Sequence, residues 1–208
     1  MRSAFAIFFL LNFSLCITAQ QVNRDAWELE GVTRAKQISK IPDFSRYTDV
    51  KEKKKTFFDF IRPMVKEENQ ILRNENLRIT ELFTEVSDGA EISKSDQKWL
   101  EEMASYYRVS PFDLNEEDDI QSLLKKVDII PESLFLAQAA NESAWGTSRF
   151  AKSANNIFGQ WCFTEGCGIV PSQRKAGDTH EVQKFKTINE AVSSYMHGHM
   201  HEHSRVHV

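Results

Sequence analysis

The 208-residue sequence has little excess charge of either sign, since 30 acidic residues against 26 basic ones leave a formal net charge of -4. A chain held to nucleic acid by bulk electrostatics carries a large basic surplus, so the balance gives no support to that partner. Cysteine is also scarce. Of three, only Cys162 and Cys167 are close in sequence. One pair supplies two of the four ligands of a tetrahedral zinc site, and no second pair exists to complete it. The longest apolar run, residues 4–17, is broken by Asn12 and Ser14 and is too short to span a bilayer comfortably. Length sets the last bound: single domains run to about 100–200 residues, so one modest core with an appendage fits better than two full domains.

The N-terminal run reads as an export signal. Arg2 is a basic n-region, residues 4–17 the apolar h-region, and Ala19 the small residue before a cut. An uncleaved anchor and a lipoprotein lipidated at Cys16 are the competing readings. Cleavage after Ala19 removes Cys16, and in an oxidising compartment Cys162 and Cys167 then close the small loop "CFTEGC" as a disulfide.

Residues 20–50 show few periodic apolar positions and read as a tether or loosely packed arm. A helical pattern follows, with Phe57, Phe58, Ile61, Met64, Val65, Ile71, Leu72, Ile79 and Leu82 at mostly three- and four-residue steps. Pro63 is expected to kink or split it. The run Lys51 to Lys55 is read as a solvated helix face. A second helix carries Trp99, Leu100, Met103 and Tyr106. A third, "NEEDDIQSLLKKV", has acids first and lysines last, the polarity a helix dipole favours. Pro131 opens a fourth, whose Ala137, Ala139 and Ala140 permit close backbone approach and a central place. Thr147 is expected to cap a short helix ahead of an Asn155-Asn156 turn. "GIVPSQR" and "EVQKFK" then read as a β-hairpin turning at residues 176–178, and Thr187 with Glu190 as a capping box for the last helix. The fold class is mostly α with a small β element.

Glu142 lies in the last turn of the fourth helix and shares a face with positions 135, 138, 139 and 145. Apolar neighbours and the negative end of the helix dipole both oppose its ionisation, so a proton donor is one expectation. Capping a backbone amide, or pairing with Arg149, is the structural alternative.

The text "AQAANESAWGTSRFA", "NNIFG", "VQKF" and "AVSSY", in that order, resembles the glucosaminidase domain of glycoside hydrolase family 73, in its Bax-type branch. The resemblance covers roughly residues 96–197. It implies a lysozyme-like helical domain with a β-hairpin lobe, preceded by a helical N-terminal region. The implied boundaries are a signal at 1–19, the N-terminal region at 20–92, the catalytic domain at 93–197 and a histidine-rich tail at 198–208.

The implied activity is cleavage of the β-1,4 bond after N-acetylglucosamine in peptidoglycan, in the periplasm or outside the cell, with no cofactor, no metal and no nucleic acid, and with the membrane met only during export. Glu142 matches the family's catalytic acid, and Tyr195 the tyrosine that closes the site from the last helix. Asn156 and Phe158 match positions shaping the cleft floor. A second carboxylate is absent from the first hairpin strand, which leaves Glu181, Asp178 and Glu165 as candidates, Glu181 favoured, or assistance from the substrate's own N-acetyl group. Trp145, Phe158 and Trp161 are candidates to stack on sugars, with a core role the alternative for Trp145 and Phe158. A non-catalytic wall-binding module is the competing function.

Five of the six histidines fall at 197, 199, 201, 203 and 207, where the family's relatives continue differently. A truncated frame, a metal-binding tail and a pH-responsive tail are all open.

Overall fold

The computed structural model describes residues 32–175 and 177–201, with side chains described through Gly198 in the last helix. The expected signal at 1–19 lies outside the described residues, as does the tail beyond His201. The chain is mostly helical, and a three-stranded sheet supplies its β part.

Helix α1 (Val50–Ser87) starts where Asp49 accepts from the Glu52 amide at 2.7 Å. It continues for 38 residues without the break expected at Pro63. The proline side is exposed, and the apolar face on either side of it stays continuous: Phe57, Ile61, Met64, Val65, Ile71, Leu72, Ile79 and Leu82 are all buried. Burial of a stripe that long outweighs the local loss of one helical hydrogen bond, about 3 kcal/mol for an interior proline. Helices α2 (Lys94–Tyr106), capped by Ser93, and α3 (Glu117–Lys126) follow. Helix α4 (Glu132–Glu142) packs on α1, as its alanines led us to expect, with Ala139 and Ala140 buried and Ala137 exposed. Helix α5 (Arg149–Ala154) is capped by Ser148 rather than Thr147: the Ser148 hydroxyl accepts from the Ala151 amide, while the Thr147 hydroxyl donates back to Ala144.

The hairpin forms between β2 (Gly168–Ile169) and β3 (Glu181–Gln183), and β1 (Trp161–Cys162), not anticipated as a strand, pairs with the other edge of β3. A Cβ at Gly168 would collide with the Val182 carbonyl, which explains the glycine where these strands meet. Helix α6 (Ile188–His201) begins at the expected capping box, with the Glu190 amide donating to the Thr187 hydroxyl at 3.0 Å.

The supposed arm is a packed strap from residue 32 onward. Ile41 and Phe44 are buried. The Ile38 amide donates to Asn189 Oδ1 at 2.9 Å, and the Ile188 amide returns a bond to the Ile38 carbonyl. Asn155 reaches the Ser39 carbonyl at 2.9 Å. An extended strap whose partners lie as near as Glu67 on α1 and as far as Asn189 on α6 leaves no periodic trace. One continuous cluster of buried side chains runs from Ile41 to Met196.

Candidate active site

Glu142 closes α4, and the turn after it is strained. Ala144, Trp145 and Gly146 all have left-handed backbone, with φ of 50°, 59° and 73°. Each non-glycine residue there costs about 1–2 kcal/mol, so other contacts must hold it. Ser143, fully buried, supplies them: its hydroxyl donates to the Ala139 carbonyl at 2.6 Å and accepts from the Gly146 amide at 2.8 Å. The Trp145 amide bonds the Ala140 carbonyl at 2.8 Å. Gly146 meets the strap so closely that a Cβ would lie 2.6 Å from Phe44 Cδ2. Strain of this kind collects where a backbone must present a group in one place.

The Glu142 carboxylate, just before this turn, is exposed, so the apolar enclosure expected from sequence is absent. Among the described residues no hydrogen bond or ion pair engages it. Arg149, the alternative partner, turns toward the Val170 carbonyl instead. Trp145 packs on α1, with its ring 5.8 Å from Phe57 and 5.2 Å from Phe58 and the Lys54 ammonium 4.9 Å from its centroid.

Tyr195 arrives from α6. Its hydroxyl donates to Gln138 Oε1 at 3.0 Å, one turn before Glu142 on α4. Its ring stacks on Phe158, 3.8 Å between centroids and 9° between planes, and meets Phe135 edge-on. Burial, and then the negative charge of Glu142, push its phenol up to about 12. The second cause places Glu142 and Tyr195 in one electrostatic neighbourhood. The sequence places Gln138 on the Glu142 face, four residues earlier, but does not single it out as a site residue.

Asn156 is almost fully buried and wholly occupied by backbone. Its amide donates to the Gln160 and Gln183 carbonyls at 2.8 and 2.9 Å, and its oxygen accepts from the Phe158 and Gln160 amides. It shapes the loop that seats Phe158 under Tyr195. Gln160 ties that loop to α6, donating to the Ala191 carbonyl and accepting from the Ser194 hydroxyl.

The small lobe carries the remaining candidates. Glu181 is buried, and its two oxygens accept from the Gly166 and Gly168 amides at 3.1 and 2.8 Å. Those bonds, Gly166 first, hold its carboxyl below the usual glutamate range. It thereby clasps the loop that the Cys162–Cys167 disulfide closes. Asp178 and Glu165 are exposed. Trp161 is 58% exposed and stacks on His180 at 4.3 Å, leaving an aromatic face open to solvent. Among the described residues no three His, Cys, Asp or Glu side chains converge as metal ligands would, and no helix is long and apolar enough to cross a membrane. His197, grouped with the tail in sequence, is instead a core residue of α6.

The chain is similar to known proteins. Residues 117–207 match the family model Glucosaminidase, described as mannosyl-glycoprotein endo-beta-N-acetylglucosaminidase. Over 159 residues the chain is 30% identical to "Protein bax" of Escherichia coli (strain K12), an alignment that takes in 76% of this chain and 54% of that protein. The chain thus spans about half the length of that relative. No solved structure matches.

Proposed function

Residues 117–207 are a domain of the glucosaminidase family, and from that premise we propose that the chain is an exported peptidoglycan hydrolase, an endo-β-N-acetylglucosaminidase cutting the β-1,4 bond after N-acetylglucosamine. The observation that carries the reading is the place of Glu142: a carboxyl at the head of a strained turn, one helical turn beyond the Gln138 that accepts from the Tyr195 hydroxyl. Glu142, solvent-accessible at the helix end, donates its proton to the glycosidic oxygen as the bond to the anomeric carbon breaks, and the leaving sugar departs as an alcohol. Tyr195 stays a neutral phenol across the physiological range and lends a hydroxyl beside the reacting sugar.

Glu181 is the candidate second carboxylate, but the commitment of both its oxygens to backbone amides favours a part in holding the disulfide loop. We therefore favour the substrate's N-acetyl group as the nucleophile. Its carbonyl oxygen bonds to the anomeric carbon as the leaving oxygen departs, and water later opens the oxazolinium while the Glu142 carboxylate takes the water's proton. In this reading Trp161 stacks on a sugar from the lobe, Asn156 and Phe158 form the floor, and Trp145 braces the Glu142 turn against α1.

Purified cell-wall sacculi incubated with the wild-type chain should gain reducing ends ending in N-acetylglucosamine, and with Glu142→Gln the rate should fall by a factor of about 100 or more. Equal release by both chains would replace this reading with a wall-binding module that keeps the fold without the chemistry.

A further inference from the structure

Helix α6 carries a buried histidine that the proposed chemistry does not use. His197 follows Tyr195 by two residues, which at 3.6 residues per turn sends the two side chains out about 200° apart, on nearly opposite sides of the helix. Tyr195 reaches α4; His197, only 3% exposed, reaches α1 and α2.

Its Nε2 lies 3.2 Å from Glu68 Oε2, and its Nδ1 lies 3.1 Å from the Tyr107 hydroxyl. That hydroxyl donates to Glu75 Oε2 at 3.0 Å. Tyr106 and Tyr107 set their rings edge-on against the imidazole. A phenol has one proton to give, and here Glu75 takes it, so toward His197 the Tyr107 oxygen accepts and Nδ1 is the donor. Nε2 meets the Glu68 carboxyl on the other side of the ring. Three helices are therefore joined through one ring by bonds that have direction.

The other directional ties of α6 to the strap and to the Gln160 loop, at Asn189, Ala191 and Ser194, all precede Tyr195, and the apolar contacts around His197 carry no direction. Val192 and Met196, buried on the same helix, favour burial but not a particular rotation, because the hydrophobic effect is non-directional. Hydrogen bonds weaken steeply with misalignment, and buried groups have no water to turn to when their partners are lost.

We propose that His197 is a positioning residue of the candidate site: bonded at both ring nitrogens, it fixes the rotation of α6 and so the place where Tyr195 presents its hydroxyl. The inference rests on Tyr195 belonging to the site.

The test uses the full chain with 3-fluorotyrosine incorporated, the fluorine resonance of position 195 being assigned by its loss in Tyr195→Phe. In a His197→Phe chain shown to be folded by circular dichroism, that resonance should shift or broaden. His197→Gln, which keeps a donor and an acceptor, should hold it in place. On soluble glycan strands His197→Phe should lower kcat at least about ten-fold with KM changed less than about two-fold, and the loss should vanish when Tyr195 is already phenylalanine. Should His197→Phe not fold, Tyr107→Phe, which removes a single oxygen, carries the same comparison. An unmoved resonance in a folded variant, or an equal kcat loss in both backgrounds, overturns the proposal. Full cleavage by Glu142→Gln would instead overturn the reading of the activity and leave the fluorine result to judge His197.

Discussion

Two titrating side chains make the site testable residue by residue. The Tyr195 phenol is raised to about 12 from an ordinary value near 10, by burial and then by Glu142. A raised folded value means that its contribution to stability is fully present below the unfolded value and is lost as pH climbs through the folded one. Urea midpoints measured from pH 9 to 12 should therefore fall more steeply for the wild type than for Tyr195→Phe; parallel curves would count against a buried phenol. Glu181 behaves oppositely. Its folded value is depressed by the Gly166 and Gly168 amides, so its contribution is present above the ordinary glutamate value and is lost as pH falls through the depressed one. Glu181→Gln should flatten the stability curve below about pH 4.5. If substrate assistance holds, the same variant keeps most of its cleavage at neutral pH, and a hundred-fold loss without unfolding would restore Glu181 as the base.

At the level of elements, the turn between α4 and α5 is where backbone strain is traded for placement. Its left-handed run stays in place because Ser143 bonds across it and because Phe44 fills the space over Gly146. Gly146→Ala introduces a Cβ 2.6 Å from Phe44 Cδ2 at a φ of 73°, so both strain and overpacking act against it. We expect a loss of about 2–4 kcal/mol in the free energy of unfolding by urea, and a loss under about 0.5 kcal/mol would show the turn to be softer than its geometry implies. The strap matters here too. Its phenylalanine is part of the surface on which the Glu142 turn rests.

For the molecule as a whole, the question is whether the N-terminal helix is a separate body. Phe57, Ile61, Val65, Leu72 and Ile79 are each fully buried or nearly so, in the same cluster as Phe135, Ala139 and Val192 from α4 and α6. Each such side chain contributes about 1.5–3 kcal/mol on burial, and their sum rivals the 5–15 kcal/mol that holds a typical domain. A chain beginning at residue 93 should accordingly lack cooperative thermal unfolding by circular dichroism, while one beginning at residue 32 should keep it. A sharp melting transition in the shorter chain would mean that residues 93–197 stand alone, as the sequence boundaries imply.

The helices and their starts were readable from sequence because they are local. The Thr187 cap, three residues from its amide partner, and an apolar face repeating each turn are written in neighbouring letters, although at Thr147 the cap falls one residue later, on Ser148. The hairpin of β2 and β3 and the place of Glu142 at a helix end were legible for the same reason. What the text could not carry is which distant groups meet. The strap at 32–49, the third strand β1, Trp145 against Phe57 and Phe58, the clasp of Glu181 on two loop amides and the burial of His197 between Glu68 and Tyr107 all join residues far apart in the chain. Such pairings are selected by the closing of the core, which decides whether a carboxylate is left open to solvent, as Glu142 is, or taken up by backbone amides, as Glu181 is. Composition and period settle which residues want to be buried. Only the packed chain settles what each polar one finds when it gets there.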